Sequence, residues 1–379
     1  MTDRPQEGLH VLLVSDPGLP TRRVNSIKDT VESNLHEVFS PPVQVHSTTQ
    51  MIGIRPDHTL DIQSVRSIAD DYGRVDVIML LTEIPRHSEG KPLVAELYPD
   101  HNVAVVSCPT LGAWLTKRRL TKLFTSCAIR LSPTRDIKDP TDYELSWSQW
   151  SRRDADGGYA LHSHKLTGGI RTVLGMTMAN DPWRTAPKLS SALAAASATG
   201  AFGIFYNSIW EMADYLSTFR LLTIGFLAVA AMVTWLILSN KLWDKPKQER
   251  LSTVVTLYNL STVLTLFMCV LALYLVLALL ILISGMIVIA PDFMSQILGR
   301  QAEFSNYLDI AWLSAAMGVV AGALGSSFDS SMDLRHITHG QRERQRQYTE
   351  DQEQKRQEEE GVDESDGMER QDVGRIDAD

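Results

Sequence analysis

The chain has 379 residues, of which 44% are apolar and 21% charged, with three cysteines and a net charge of −9. Of that charge, −7 belongs to residues 341–379, where 14 acidic residues outnumber 7 basic ones, so the acidity is a property of the tail. Together with a nearly charge-free stretch over 189–327, this excludes a basic nucleic-acid-binding protein, a disulfide scaffold and a purely soluble enzyme.

The first 130 residues alternate strand-like and helix-like segments. His10–Ser15 is an apolar run, the loop Asp16–Thr21 follows, and Thr21 is placed to cap a helix running to about Leu35. Val43–His46 predicts a second strand and Leu60–Tyr72 a helix, through Leu60, Ile62, Val65 and Ile68. Val75–Leu81 and Asn102–Ser107 are continuous apolar runs, as strands buried on both faces require. Lys91–Leu97 predicts an edge strand or short helix, and Leu111–Leu131 a basic helix carrying Lys117, Arg118, Arg119 and Lys122. The alternation predicts an α/β domain over 1–130, Rossmann-like or flavodoxin-like, with a parallel sheet between helices.

Ligands of such sheets bind beyond the carboxyl ends of the strands. Asp16–Thr21, Thr82–Gly90 and Cys108–Gly112 fall there and gather Asp16, Thr82, Glu83, Arg86, His87, Ser107 and Thr110. Arg86 with free loop amides would suit an anion or phosphate. The competing and heavier reading is structural, because Asp, Thr and Ser at strand ends cap helices and close turns. Neither GxGxxG, GxxxxGK[ST] nor GxSxG occurs, and no Cys/His spacing suggests zinc, so no cofactor is expected. The start MTDRPQEGLHVLLVSD carries no signal-peptide core, which predicts a cytoplasmic first half in a reducing compartment.

Residues 131–188 change character. Tyr143–Trp150 and Tyr159–His164 alternate around Asp154-Ala-Asp-Gly-Gly, a plausible hairpin, with His162 and His164 on an exposed face rather than on a metal. Ile170–Met178 suits a membrane-surface segment, so this region is expected to lay the α/β domain on the inner leaflet, against lipid headgroups.

Four stretches are expected to cross a bilayer, at about 189–210, 221–239, 262–290 and 308–326. Ser252–Leu260 would be a half-polar lead-in to the third. The flanking cations alternate rich and poor: Arg171, Arg184 and Lys188; Arg220; Lys241, Lys245, Lys247 and Arg250; Arg300; then Arg335, Arg342, Arg344 and Arg346. Four spans with both termini in the cytoplasm reproduce that order. Trp183, Trp210, Trp235, Trp243 and Trp312 fall near span ends. Ser314, Gly318, Gly322 and Ser326 form a small-residue ladder in the last span, matched by Ala192, Ala196 and Gly200 in the first. Such ladders let helices approach closely, within one chain or across a homodimer. The span centres carry no charge, which disfavours a coupled transporter and leaves a channel as a lesser alternative. Residues 328–379 are expected to be a disordered tail whose arginines touch anionic lipid.

The segments NDPWRTAPKLSSALAAASATGAF, KLWDKP, TLYNLSTVLTL and GALGSSFDS resemble a family of uncharacterised actinobacterial integral membrane proteins, over most of the chain up to about residue 340. The resemblance implies a four-span membrane protein with a cytoplasmic α/β head and implies no reaction. Some members carry the label methylene-tetrahydrofolate dehydrogenase, but no tyrosine here has a lysine four positions later, and GRSxxVGxP is absent. The leading expectation is therefore an inner-membrane protein whose head binds a protein partner or a small anionic ligand. The alternative is an enzyme acting on a nucleotide- or lipid-linked substrate, with Glu83 as base and Arg86 as anion clamp.

Overall fold

The computed structural model describes residues 8–39, 42–51, 68–69, 72–88, 90–132, 143–153, 158–182, 190–244 and 252–326. Most of the expected helix over 60–72, the hairpin turn at 154–157 and the tail lie outside the described residues. The chain divides into two compact units, built from residues 1–169 and 170–339.

The first unit is α/β. Its elements are β1 (Leu9–Ser15), α1 (Leu19–Asn25), α2 (Lys28–Val38), β2 (Val43–Thr49), β3 (Val77–Thr82), β4 (Arg86–Ser88), β5 (Lys91–Tyr98), β6 (Val103–Ser107), α3 (Thr116–Leu131), β7 (Ser148–Arg152) and β8 (Tyr159–Ser163). The sheet order is β2-β1-β3-β6-β5-β8-β7, with β4 paired to β5. β2, β1, β3 and β6 run parallel, whereas β4, β5, β8 and β7 pair antiparallel. The expected parallel sheet is thus corrected to a mixed one. The cause is that β4 and β5 pair antiparallel across a very short connection, which reverses the chain. β5 is not an edge strand either: it is held by β6 on one side and β8 on the other, and its run from Pro92 to Leu97 is buried. The hairpin after residue 130 extends this same sheet, so the α/β unit does not stop there and reaches residue 169.

Two cores flank the sheet. Val11, Leu13, Met79, Leu81, Ala104 and Val106 face Val24, Val31, Leu35, Leu120 and Phe124 of α1–α3. Leu12, Val14, Ile78, Leu80, Val103 and Val105 face Ile68 and Ala69 on the other side. Successive strand residues feed opposite cores, and that is why these strands are apolar throughout.

The second unit is helical: the remainder of α4 (Lys165–Ala179), then α5 (Ser190–Gly200), α6 (Phe202–Phe205), α7 (Asn207–Tyr215), α8 (Thr218–Ser239), α9 (Ser252–Val288), α10 (Pro291–Leu298) and α11 (Phe304–Ser326). Two of these helices, α8 and Thr253–Val288 within α9, are long and apolar enough to cross a membrane. The segment over 189–210 is not one helix. It breaks around Ala201 and at Tyr206, whose backbone is extended, and the 11 residues of α5 rise only about 17 Å. The lead-in Ser252–Leu260 is likewise not separate, because α9 runs unbroken for 37 residues, about 55 Å. The start of α9 packs on α4 through Tyr258, Val173 and Met176. Asn259 clamps the preceding loop, its amide accepting from the Asp244 N–H and donating to the Asp244 carbonyl, each at 2.9 Å. Asn180 donates to the Thr265 hydroxyl at 2.9 Å.

Candidate functional site

β1, β3 and β6 end abreast, with Ser15 registered on Leu81 and Thr82 on Ser107. The chain turns sharply after each, and these turns bring the polar residues together. Asp16 is fully buried, and its Oδ2 accepts from the Thr82 hydroxyl and the Glu83 amide, both at 2.8 Å. Thr82 Oγ1 in turn accepts from the Ile84 amide at 3.2 Å, and the Ser107 hydroxyl donates to the Ile84 carbonyl at 3.0 Å. The Thr110 hydroxyl donates to the Ser107 carbonyl at 2.8 Å. Asp16, Thr82, Glu83, Ser107 and Thr110 therefore form one buried network that ties the three loops to each other.

Thr21 is not a helix cap. α1 begins earlier, after Gly18 at φ 97°, and the Thr21 hydroxyl donates instead to the Asp16 carbonyl at 2.8 Å. The left-handed region suits glycine, which has no Cβ to clash there.

Arg86 does not join the network. Its guanidinium pairs with Glu96 of β5, a buried carboxylate that also takes Arg153 as a partner. Tyr98 donates its hydroxyl to Glu96 at 3.2 Å and lies under the Arg153 guanidinium at 4.8 Å. An anion clamp built from Arg86 would have to break that buried pair, at a cost of several kcal/mol.

The buried cation on the 108–112 loop is Arg23 of α1, which is only 7% exposed. Its Nη1 donates to the Cys108 carbonyl at 3.1 Å and to Cys108 Sγ at 3.0 Å, and its Nη2 to the Gly112 carbonyl at 3.1 Å. Burial pushes the Cys108 thiol up to about 11, against the opposing pull of Arg23, so it is no thiolate nucleophile near neutrality. Arg23, Glu96 and Arg153 were not legible in the sequence. Arg23 sits in an Arg-Arg pair of a polar helix start, and only the packing of α1 shows which arginine turns inward.

His87 of β4 faces the protein. Burial lowers its imidazole to about 4, and neither ring nitrogen has a partner among the described residues. The fold therefore favours the neutral ring, while the unfolded chain titrates near 6.5. Stability from this group is intact above about pH 6.5 and falls as the pH drops towards 4, by up to about 3 kcal/mol. Protection of the β4 and β5 amides against exchange, corrected for intrinsic rate, should decline across that window in the natural protein and stay flat in His87→Phe. An equal decline in the variant would assign the effect to another group.

The small residues of the helical unit meet each other. A Cβ on Gly318 would lie 2.5 Å from the Ala196 carbonyl oxygen, and one on Gly203 1.7 Å from Ser314 Oγ. Gly200 lies against Ile281 and Ser314, and Gly322 is buried. The side chains of Ala192 and Ser326 lie outside the described residues.

Among the described residues no group of three or more His, Cys, Asp or Glu side chains is placed to hold a metal ion. Comparison of the chain with protein-family models, with curated proteins and with solved structures finds no match.

Proposed function

We propose that this chain is a multi-pass inner-membrane protein that crosses four times, with its α/β unit and its tail in the cytoplasm. In this reading the α/β unit binds a protein partner or a small anionic ligand and turns over no substrate. One observation supports the absence of turnover in this reading. The strand-end groups that would serve chemistry are engaged with each other: Asp16 with Thr82 and the Glu83 amide, Arg86 with Glu96, and Arg23 with the 108–112 loop.

The four crossings draw support from the helical unit. α8 and α9 have the length and apolarity to span. The broken segment α5–α7 tracks α11 in the opposite direction, with Ala196 against Gly318, Gly203 against Ser314 and Asp214 hydrogen-bonded to Asn306 at 2.8 Å. It therefore covers the same depth as α11 although no single helix does so. The small-residue face of α11 is occupied by α5 of the same chain, so no second copy is assigned to it.

Cysteines introduced in turn at Asp100 and Glu360 test the topology, because Cys108, Cys127 and Cys269 are buried. Both new thiols should react with membrane-impermeant maleimide only in inverted vesicles. Labelling of the two from opposite sides would end the four-span reading. Turnover of a nucleotide- or lipid-linked substrate by the intact protein, abolished in Glu83→Gln or Arg86→Ala, would end the binding reading.

A further inference from the structure

The link between β6 and α3 has an unusual end. After the one-turn 3-10 helix Pro109–Leu111, the chain passes through Gly112 at φ 87° and then Leu115 at φ 56°, where α3 begins. Leucine is an unfavourable residue there twice over: left-handed backbone suits glycine or asparagine, and helix starts favour Ser, Thr, Asp or Asn. It also lies in water, 71% exposed, beside Trp114 at 69%. This is no frayed loop. From behind, Arg23 holds the Gly112 carbonyl and Arg119 holds the Leu111 carbonyl at 2.8 Å, while the Arg119 guanidinium lies 5.7 Å from the centre of the Trp147 ring. Two large apolar side chains are thus presented outward on a braced loop.

Cations surround them. Lys117 and Arg118 are exposed, and Leu115, Arg118 and Lys122 line one side of a shallow groove closed on the other by Leu145 and Trp147. Glu144, also on this groove, is paired with Arg130 at 2.9 Å.

We propose that Trp114 and Leu115, with Lys117 and Arg118, form a docking surface for an anionic lipid bilayer. Tryptophan favours the headgroup layer, leucine the acyl boundary just beneath it, and the lysine and arginine heads reach anionic phosphates. The chain's own acidic tail would complement the charge, but residues 341–379 are almost free of apolar side chains and would leave Trp114 and Leu115 in water. The proposal rests on the membrane reading above, and it gives the α/β unit a second attachment besides its covalent one.

The test uses the full chain in nanodiscs of phosphatidylcholine, with and without phosphatidylglycerol. An environment-sensitive fluorophore is placed on Ala113→Cys. The expected result is a blue-shifted emission in the anionic discs only, reversed by salt and retained when residues 341–379 are deleted. Neutralising one cation, by Lys117→Gln or Arg118→Gln, should lower the ratio of docked to undocked label about fivefold. Leu115→Gly should weaken docking while leaving the fold at least as stable, because it relieves the left-handed leucine; a merely structural role would give no such split. Emission independent of lipid charge would overturn the proposal. So would a shift present in both discs and lost on deleting the tail, which would make the tail the occupant. Both leaflets of these discs have the same composition, so the result is independent of which side of a cell membrane the unit occupies. The maleimide labelling decides that question separately.

Discussion

Replacing Gly318 by leucine should collapse the pairing of α5 with α11 and lower the stability of the helical unit by on the order of 3 kcal/mol. The obstacle begins at the first added carbon, which would sit 2.5 Å from the Ala196 carbonyl oxygen and 2.9 Å from Leu277 Cδ2. A leucine side chain can rotate away, but a carbonyl in the middle of α5 moves only if the helix moves. Ala196 and Ser314 are fully buried, so there is no free volume to receive it. Helices in lipid gain little from the hydrophobic effect between them and depend on close contact, so lost contact has no substitute. Gly285→Ala is the internal control. Its new Cβ would find its nearest neighbours at 3.9 and 4.0 Å, and alanine is the better helix former, so that variant should be neutral or slightly more stable. Thermal unfolding of both variants in one detergent checks the pair; equal midpoints would mean that α5 and α11 do not approach as described.

Arg23→Met should have the largest effect in the α/β unit, on the order of 3 kcal/mol, because buried carbonyls lose their side-chain donor. The variant keeps most of the volume and removes three hydrogen bonds. It leaves the Cys108 and Gly112 carbonyls without the guanidinium that holds them. Arg23→Lys restores the charge but not the two-pronged reach to both carbonyls, so it should fall between. Hydrogen exchange over Leu111–Leu115 is the direct readout, because those amides lie just beyond the groups Arg23 holds. Faster exchange in Arg23→Met with β1 and β3 still protected would show that the arginine braces this loop. Unchanged exchange would show that it does not.

Part of this fold is legible in the sequence. The apolar runs around Val77–Leu81 and Val103–Val106 admit little but strands covered on both faces, and they are central in the sheet. What escaped depends on partners distant in the sequence. Lys91–Tyr98 reads as an edge because it opens with Lys-Pro and contains Glu96; only the pairing with β8, more than 60 residues later, makes it interior, and only Arg86 and Arg153 make a buried Glu96 tolerable. The gathering of Asp16, Thr82, Glu83, Ser107 and Thr110 follows from three parallel strands ending level, which periodicity reveals. The diversion of Arg86 to Glu96 does not, because it depends on the hairpin turn between β4 and β5. Likewise no proline marks the break of the first apolar segment at Tyr206, where the backbone is extended.

The unequal lengths of α8 and α9 have a consequence for the lipid. α8 has 22 residues, about 33 Å, close to the ~30 Å of hydrocarbon it would traverse, whereas α9 exceeds that thickness by about 25 Å. In the proposed topology, thickening or thinning of the bilayer would be felt at the ends of α8, which has no surplus to slide into or out of the acyl region. α9 would absorb the same change along its own excess, its amino end held by Asn259 and Asn180. The shorter helix would act as the gauge and the longer one as the slack, so α8 would set the preference among membranes of different thickness.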